Sequence, residues 1–394
     1  MRGVAVATVV AKSHLSFARV LAQSFRRHHS EATFYVLLAD EAEGYFDPAS
    51  EPFLMLRLED LDIPDLTRFR FHYTQQELTY AATPYLLSYL LDQGFARAAF
   101  LKQESLVLDN LEPVFELLNQ YSIALTPHLL APLPGQSGIE RELNILQSGV
   151  FNVGFLGVSD KPEARAFLKW WEDRLYKHCR HNVPHGMHFE QRWLDLVPAF
   201  FDDVHVIRDP GFNVGHWNLP EREIAIGDEG VVTVDGEPCR FLRFSGYDPD
   251  LPEAVTRYNS RLDMTNVGPA AELFRRYLTL LEEASYHETK SWPYAFGHFG
   301  NGAPVTEAAR RAYRKLGEDT LRFGDPLDTA RDGNFFRWYH RQTDLGLGVR
   351  GAAARLWRAI LRREGGAFRA ALGLMVAARR SITFHAGRAL RRGS

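Results

Sequence analysis

A lysine and a glutamate stand two positions apart in FLKQESLVLDNL, Phe100 to Leu111, at the end of an apolar run. The outline is that of a strand delivering an Asp-x-Asp pair to a divalent cation, which would in turn bind a diphosphate. Lys102 and Glu104 occupy the two acidic positions. An ammonium is a compact point charge that can meet a phosphate oxygen directly. Glu104 could orient a sugar hydroxyl or pair with Lys102. The competing reading is a solvated Lys/Glu pair, common at strand ends and weak. A second basic residue sharpens the question. Arg243 lies inside RFLRFSGYDP, an apolar strand that ends in Ser245-Gly246. On an alternating strand an arginine normally reaches solvent; the alternative is a bidentate phosphate contact at the mouth of a sheet.

Three further clusters have the chemistry of a ligand site. Glu190-Gln191 in HFEQRW sits at an expected helix start, where two adjacent side chains should not both face the core and one is left for a ligand. The other reading is an acid near the helix dipole. Asn213, His216, Trp217 and Asn218 in FNVGHWN form a polar and aromatic loop suited to the apolar face and hydroxyl edge of a sugar. A packed loop with a structural histidine explains the same residues. His185, His188 and Glu190 have H-x-x-H-x-E spacing, which does not bring three ligands to one helix face, so no zinc site is expected. Neither a Gly-x-Gly-x-x-Gly nor a P-loop string is present, which disfavours dinucleotide enzymes and ATPases.

These residues need a scaffold, and the first third of the chain supplies one. Val4 to Val10 and Phe34 to Leu38 read as strands, Ser16 to His28 as an amphipathic helix, and Ala98 to Leu101 as another strand. Glu77 to Gln93 reads as one helix with Pro84 near its start and Gly94 as its stop. Strand–helix–strand order implies parallel pairing with helices on both faces, and such sheets bind ligands at the carboxyl ends of their strands. Gln147 to Val158 reads as a strand pair with close backbone approach. Glu163 to Tyr176 is a helix, Val204 to Ile207 a short strand, and Asp209 to Trp217 a loop. Val231 to Val234 and Cys239 to Phe244 flank an Asp235-Gly236 turn. Helices follow from Ala270 to Ala284 and from Thr306 to Leu316, then over Ala352 to Arg363 and Ala367 to Arg380.

The chain has 394 residues and a net charge of −3, enough for a large core and too little basic charge for a nucleic-acid partner. Cys179 and Cys239 read as idle thiols of a reducing compartment. GVAVATVVAK reads as a buried first strand rather than a signal core, and no run is apolar enough to span a membrane, so a cytoplasmic location is expected. From Arg350 onward eleven arginines face one glutamate, Glu364; that +10 leaves −13 for residues 1–349. Leu356, Trp357 and Ile360, continued by Phe368, Leu372, Met375 and Val376, give the tail an apolar side. It could lie on an anionic bilayer at the inner face of the membrane, cover the acidic body, or make a homo-oligomer contact.

TVVAKSHLSFARVL, FLKQESLVLDNLEPVF, SGVFNVGFLGV, HFEQRWLDLVPAFF, RDPGFNVGHWNLPER and FLRFSGYDP, in this order over about residues 4 to 250, resemble a nucleotide-sugar glycosyltransferase of the GT-A fold, close to the retaining family-8 type. The strings, with the later WPYAFGHFGNGAPVTEAARRAYR, are also similar to a group of bacterial proteins regarded as glycosyltransferases. The resemblance implies an α/β, Rossmann-like, mostly parallel sheet flanked by helices, with a helical C-terminal extension. The expected division is a GT-A domain over 1–260, a helical region over 261–345 and a basic amphipathic tail over 346–394.

The resemblance also assigns roles. In the family the metal is held by Asp-x-Asp and by a His before a small residue and Gly; here Lys102 and Glu104 replace the former and Arg243 the latter. The two departures agree, since losing a dication and gaining Lys plus Arg keeps the positive charge for a diphosphate. No metal cofactor is therefore expected, with Mn or Mg as the alternative. Thr8, Lys12 and Asp40 would meet the base and ribose of the donor, a UDP-sugar. Gln103 and Glu104 would face the ribose–diphosphate junction, and Lys102, Arg243, Ser245 and Gly246 the diphosphate. Asn152 matches an Asn that contacts the donor sugar. Glu190 and Gln191 match a pair beneath the reacting carbon, and with Asn152 form the expected catalytic set. Asn213, His216, Trp217 and Asn218 would bind substrate. The expected activity is hexosyl or N-acetylhexosaminyl transfer, retaining and metal-independent, to a glycan, lipid-linked or protein acceptor in cell-surface glycan assembly. The alternative is an inactive GT-A-like module that binds a sugar nucleotide or glycan.

Overall fold

The computed structural model describes residues 2–343. From the N-terminus, β1 (Arg2–Val10) leads to α1 (Leu15–His28), β2 (Thr33–Leu38), β3 (Leu54–Arg57), α2 (Leu66–His72), α3 (Gln75–Ala81), α4 (Thr83–Asp92) and β4 (Phe95–Leu101). Next come β5 (Ser105–Val107), α5 (Glu112–Gln120), β6 (Ile123–Pro127), α6 (Gly135–Ser148), β7 (Phe151–Ser159) and α7 (Pro162–Leu175). The remaining strands are short: β8 (His181–Asn182), β9 (Met187–His188), β10 (Val204–Val206), β11 (Val214–Gly215), β12 (Ile224–Ile226), β13 (Val232–Val234), β14 (Glu237–Pro238) and β15 (Phe241–Arg243).

The main sheet has seven strands in the order β10-β6-β7-β4-β1-β2-β3. β1, β2, β3 and β4 pair in parallel, as do β10 and β6, whereas β7 runs antiparallel to both β4 and β6. Helices cover both faces, so β7 is buried at every position. One apolar cluster joins the sheet to α4 and α7, and another joins its opposite face to α1 and α5. The α/β, mostly parallel, helix-flanked architecture is the one the sequence implies.

A second sheet matters more for the site. β5, the continuation of FLKQES, pairs antiparallel with β15, bringing Ser105 opposite Arg243. β15 also pairs in parallel with β11, bringing Gly215 opposite Arg243. Three strings far apart in the chain are thus laced together at one edge. α9 (Ala270–Glu283) packs Phe274 and Tyr277 on this small sheet, and Tyr277 stacks on Phe244 at 3.8 Å between centroids.

Several expected elements differ. Glu77 to Gln93 is two helices, because Pro84 lacks an N–H and its ring excludes the carbonyl four residues back; the chain restarts at Thr83. Gln147 and Ser148 end α6, and only Phe151–Ser159 is a strand, so the expected strand pair is one strand. At Gly157 it is the Leu118 side chain that stands against the strand, where a Cβ would come within 2.9 Å of it. Asp235 and Gly236, both at positive φ, turn β13 into β14; β15 leaves this hairpin for the second sheet.

Residues up to Leu327 form one compact unit, in which α9 and Tyr286 share a core with β15 and α1. Of the second unit, residues 335–343 are helical. The expected tail helices lie outside the described residues. Cys179 and Cys239 are free and buried. Among the described residues no helix is long and apolar enough to cross a membrane.

Candidate active site

The site begins at the carboxyl ends of the central strands. Thr8, near the end of β1, is buried, and its Oγ1 has no partner among the described residues. Lys12 and Asp40 form a buried ion pair of 3.0 Å, with the Lys12 ammonium 4.7 Å from the Tyr45 ring centroid. Asp40 also accepts from the backbone N–H groups of Lys12, Glu41 and Ala295. Both residues therefore tie the ends of β1 and β2 to the segment around Ala295. Asp40 spends its oxygens on the protein rather than presenting them to a ribose.

Lys102 ends β4 beneath a different carboxylate. Its Nζ lies 2.7 Å from Glu190 Oε1 and 3.1 Å from the centroid of the Tyr80 ring, a cation–π contact. Lys102 is 2% and Glu190 3% exposed. Burial pulls the ammonium below the ordinary lysine value; Glu190 opposes that pull, and Arg243 adds to it. Glu190 precedes a 3-10 helix, Gln191–Leu196, packed against β7. Against the expectation that two adjacent side chains here would not both face the core, Glu190 and Gln191 are both buried. Gln191 donates to Ser148 O at 2.8 Å and accepts from Val153 N at 3.2 Å. It staples the start of β7 and carries no free polar atom toward a ligand.

Arg243 is built into a fixed network. Its Nη1 donates to Asn152 Oδ1 at 2.5 Å, and Asn152 Nδ2 donates to His128 Nε2 at 2.8 Å. His128 Nδ1 lies 3.2 Å from Val150 O, which can only accept, so His128 carries its proton on Nδ1 and is neutral. Burial drives its pKa down to about 3, with the Arg243 charge acting in the same direction. Gly154 passes so close to this group that a Cβ would stand 2.7 Å from Asn152 Oδ1 and overlap Asn213 Oδ1. Asn213 sits at a φ of 54° and is fully buried, yet neither its Oδ1 nor its Nδ2 has a partner among the described residues.

The loop residues divide. Trp217 is buried with Arg243 5.4 Å from its ring and Gly215 against its edge, so its flat face is covered by protein. Its Nε1 has no partner among the described residues. Asn218 accepts from Gly215 N and donates to His128 O and Asn213 O, closing the loop on itself. His216 stands at the rim beside Tyr258, whose ring centroid is 5.8 Å away. Burial lowers the His216 pKa to about 4, helped by Arg243.

Gln103 Oε1, Glu104 Oε2, Ser105 Oγ, Glu190 Oε2 and Arg243 Nε are also buried without partners among the described residues. Together with Asn213 and Trp217 they concentrate unmet hydrogen-bonding capacity around Arg243, where a protein interior would ordinarily satisfy it. Ser245 O accepts from Thr256, and Gly246, at a φ of 74°, leaves no room for a Cβ beside Tyr258. That contact brings Arg257 to the rim, near enough for Glu104 to raise its pKa, behind the larger effect of its bond to Tyr258. Arg257, Tyr80, His128 and Tyr258 belong to this locus, and no string in the sequence announced them.

The donor set does not compose a dication site. An ammonium and a guanidinium stand among the carboxylates, one of which already holds the ammonium. Among the described residues no group of three His, Cys, Asp or Glu side chains converges.

No family model matches the sequence. The chain is 24% identical over 256 residues to the uncharacterized protein YfnF of Bacillus subtilis (strain 168), covering 62% of this chain and 81% of YfnF. It is 24% identical over 246 residues to YfnD of the same organism, covering 61% of this chain and 76% of YfnD. Among solved structures it is similar to the galactosyltransferase LgtC in complex with donor and acceptor sugar analogues, at 16% identity and a TM-score of 0.41, over 71% of this chain and 95% of that one. It is also similar to the glycosyltransferase GlyE of Streptococcus pneumoniae TIGR4, at 15% identity and a TM-score of 0.41, over 76% of this chain and 67% of that one.

Proposed function

We propose that the chain is a glycosyltransferase that moves a sugar from a nucleotide-diphosphate donor to an acceptor hydroxyl without a bound dication. One observation carries the reading: the unpartnered buried polar atoms gather around Arg243 and Glu190 at the carboxyl edge of a mostly parallel sheet. Such an edge is where open α/β sheets hold ligands. A guanidinium held by Asn152 is preorganised to meet charge that develops on a departing diphosphate. Glu190 Oε2, Asn213 and Gln103 offer acceptors and donors for sugar hydroxyls and for the carbon that gains positive character. The motif order resembling retaining enzymes favours retention, a UDP-linked hexose or N-acetylhexosamine, and a cell-surface glycan as the eventual product. His216 and Tyr258 at the rim suit the incoming acceptor.

The test is release of nucleotide diphosphate from UDP-, GDP- and dTDP-hexoses, with EDTA and with manganese. Release that ignores EDTA supports the reading. Dependence on manganese contradicts its metal-free part, and tight binding without turnover would instead indicate a binding module.

A further inference from the structure

Lys102 occupies the first acidic position of an Asp-x-Asp frame, and the natural assumption is that its charge serves the diphosphate. The contacts say otherwise. The ammonium is held between the Glu190 carboxylate at 2.7 Å and the Tyr80 ring at 3.1 Å, and Lys102 is 2% exposed. Tyr80 is itself fixed: Gln76 Nε2 donates to its hydroxyl at 3.0 Å, and Phe189 packs edge-on to its ring at 5.1 Å. Turning Lys102 toward a phosphate would abandon Glu190 as a buried carboxylate with no counter-charge, an expensive state.

Glu190 is pinned at its other points too. Its backbone carbonyl accepts from Trp171 Nε1 at 3.3 Å, and its Oε1 is taken by Lys102. Among the described residues its Oε2 has no partner. The field of Arg243 also reaches Lys102, and Arg243 Nε has no partner among the described residues.

We infer that Lys102 is a positioning residue for Glu190: it clamps Oε1 so that Oε2 faces the reacting sugar, while Arg243 serves the diphosphate. The inference rests on the glycosyl-transfer reading. It divides the two cations by role, one acting on turnover through a carboxylate and the other on nucleotide affinity. A residue that acts only through the bound ground state would move affinity instead.

The experiment uses the full chain and two readouts: calorimetry with UDP, and saturated-donor turnover measured as UDP release from UDP-hexoses. Lys102→Met is expected to leave the UDP dissociation constant within about twofold and to lower kcat by about 100-fold, as loss of a preorganised charge at the reacting centre does. Glu190→Gln should do the same, and Lys102→Met/Glu190→Gln should be no worse than either single change, because both disable one unit. Lys102→Arg, which keeps a cation for Glu190, should recover at least about tenfold of the lost kcat. If Lys102→Met folds poorly, the double variant, which carries no buried charge at either position, provides the same readout. The inference is overturned if Lys102→Met weakens UDP binding about tenfold or more with kcat preserved, or if the two single losses multiply. If the wild-type chain binds none of UDP, GDP and dTDP, the glycosyl-transfer reading falls and takes the inference with it. Loss of UDP affinity in Lys102→Met alone, with an active wild type, removes only the inference.

Discussion

Arg243 Nη1 lies 2.5 Å from Asn152 Oδ1, although 91 residues separate the two in the chain. The bond orients the guanidinium, and His128, locked as one neutral tautomer by Val150, orients Asn152 in turn. Arg243 is thus a cation whose position is set before any ligand arrives, which is the condition for electrostatic help to a leaving group.

Arg243→Ala removes the charge and leaves the Asn152 oxygen facing only Gly154 N. Affinity for UDP should fall about 10- to 100-fold, the worth of a charge-assisted hydrogen bond to phosphate. Calorimetry with UDP checks it. Unchanged affinity would remove Arg243 from the diphosphate.

Gly154→Ala tests the crowding of the network. A Cβ there would meet Asn152, Asn213 and the Arg243 stem together. The main-chain N–H of Gly154 already bonds Asn152, so the strand cannot drift away without breaking that contact. Overpacking of this kind should cost about 1–3 kcal/mol of stability and most of the turnover. Urea unfolding together with the UDP-release assay measures both.

Lys102→Met leaves Glu190 as a buried, unpaired carboxylate, and should destabilise the fold by about 3–5 kcal/mol. The double variant Lys102→Met/Glu190→Gln should regain most of that loss, because it buries no charge. Chemical denaturation of the four members of the cycle gives the coupling directly.

Acid should unfold the protein through its buried imidazoles. The His128 pKa is lowered from 6.5 to about 3, chiefly by burial. The unfolded chain therefore takes up a proton that the folded state refuses. Stability is undiminished above 6.5 and declines as pH falls toward the folded value. His128 alone can remove up to roughly 4 kcal/mol over that span. His188 and His216, each lowered to about 4, act in the same sense. Urea midpoints from pH 7 downward should show the decline, with a shallower slope in His128→Gln.

β1, β2, β4 and β10 were legible because each is a short β-rich apolar run, and the parallel pairing of β1, β2 and β4 followed from the helices between them; β3, only four residues long with Leu54 exposed, and β6, which ends in Pro127, were not read. α6 was not, since its apolar residues Ile139, Leu143 and Leu146 remain exposed and only Gly138 is buried. The strings around Lys102, Asn213 and Arg243 announced a site, and the second sheet brings them to one edge through Ser105, Gly215 and Arg243. What each side chain does there depends on contacts that spacing does not encode. Lys102 meets Glu190 across 88 residues, and Tyr80 and His128 stand in no motif. Lys12 and Asp40 show the opposite case: residue types suited to a nucleotide, used by the fold to fasten two strands.

Diffraction from crystals soaked with UDP and manganese chloride, recorded at an energy where manganese scatters anomalously, tests the metal-free diphosphate site most directly. The expected map shows both phosphates within hydrogen-bonding distance of the Arg243 guanidinium and no anomalous peak beside them. A strong peak between Glu104 and the diphosphate, with Arg243 turned away, would contradict it.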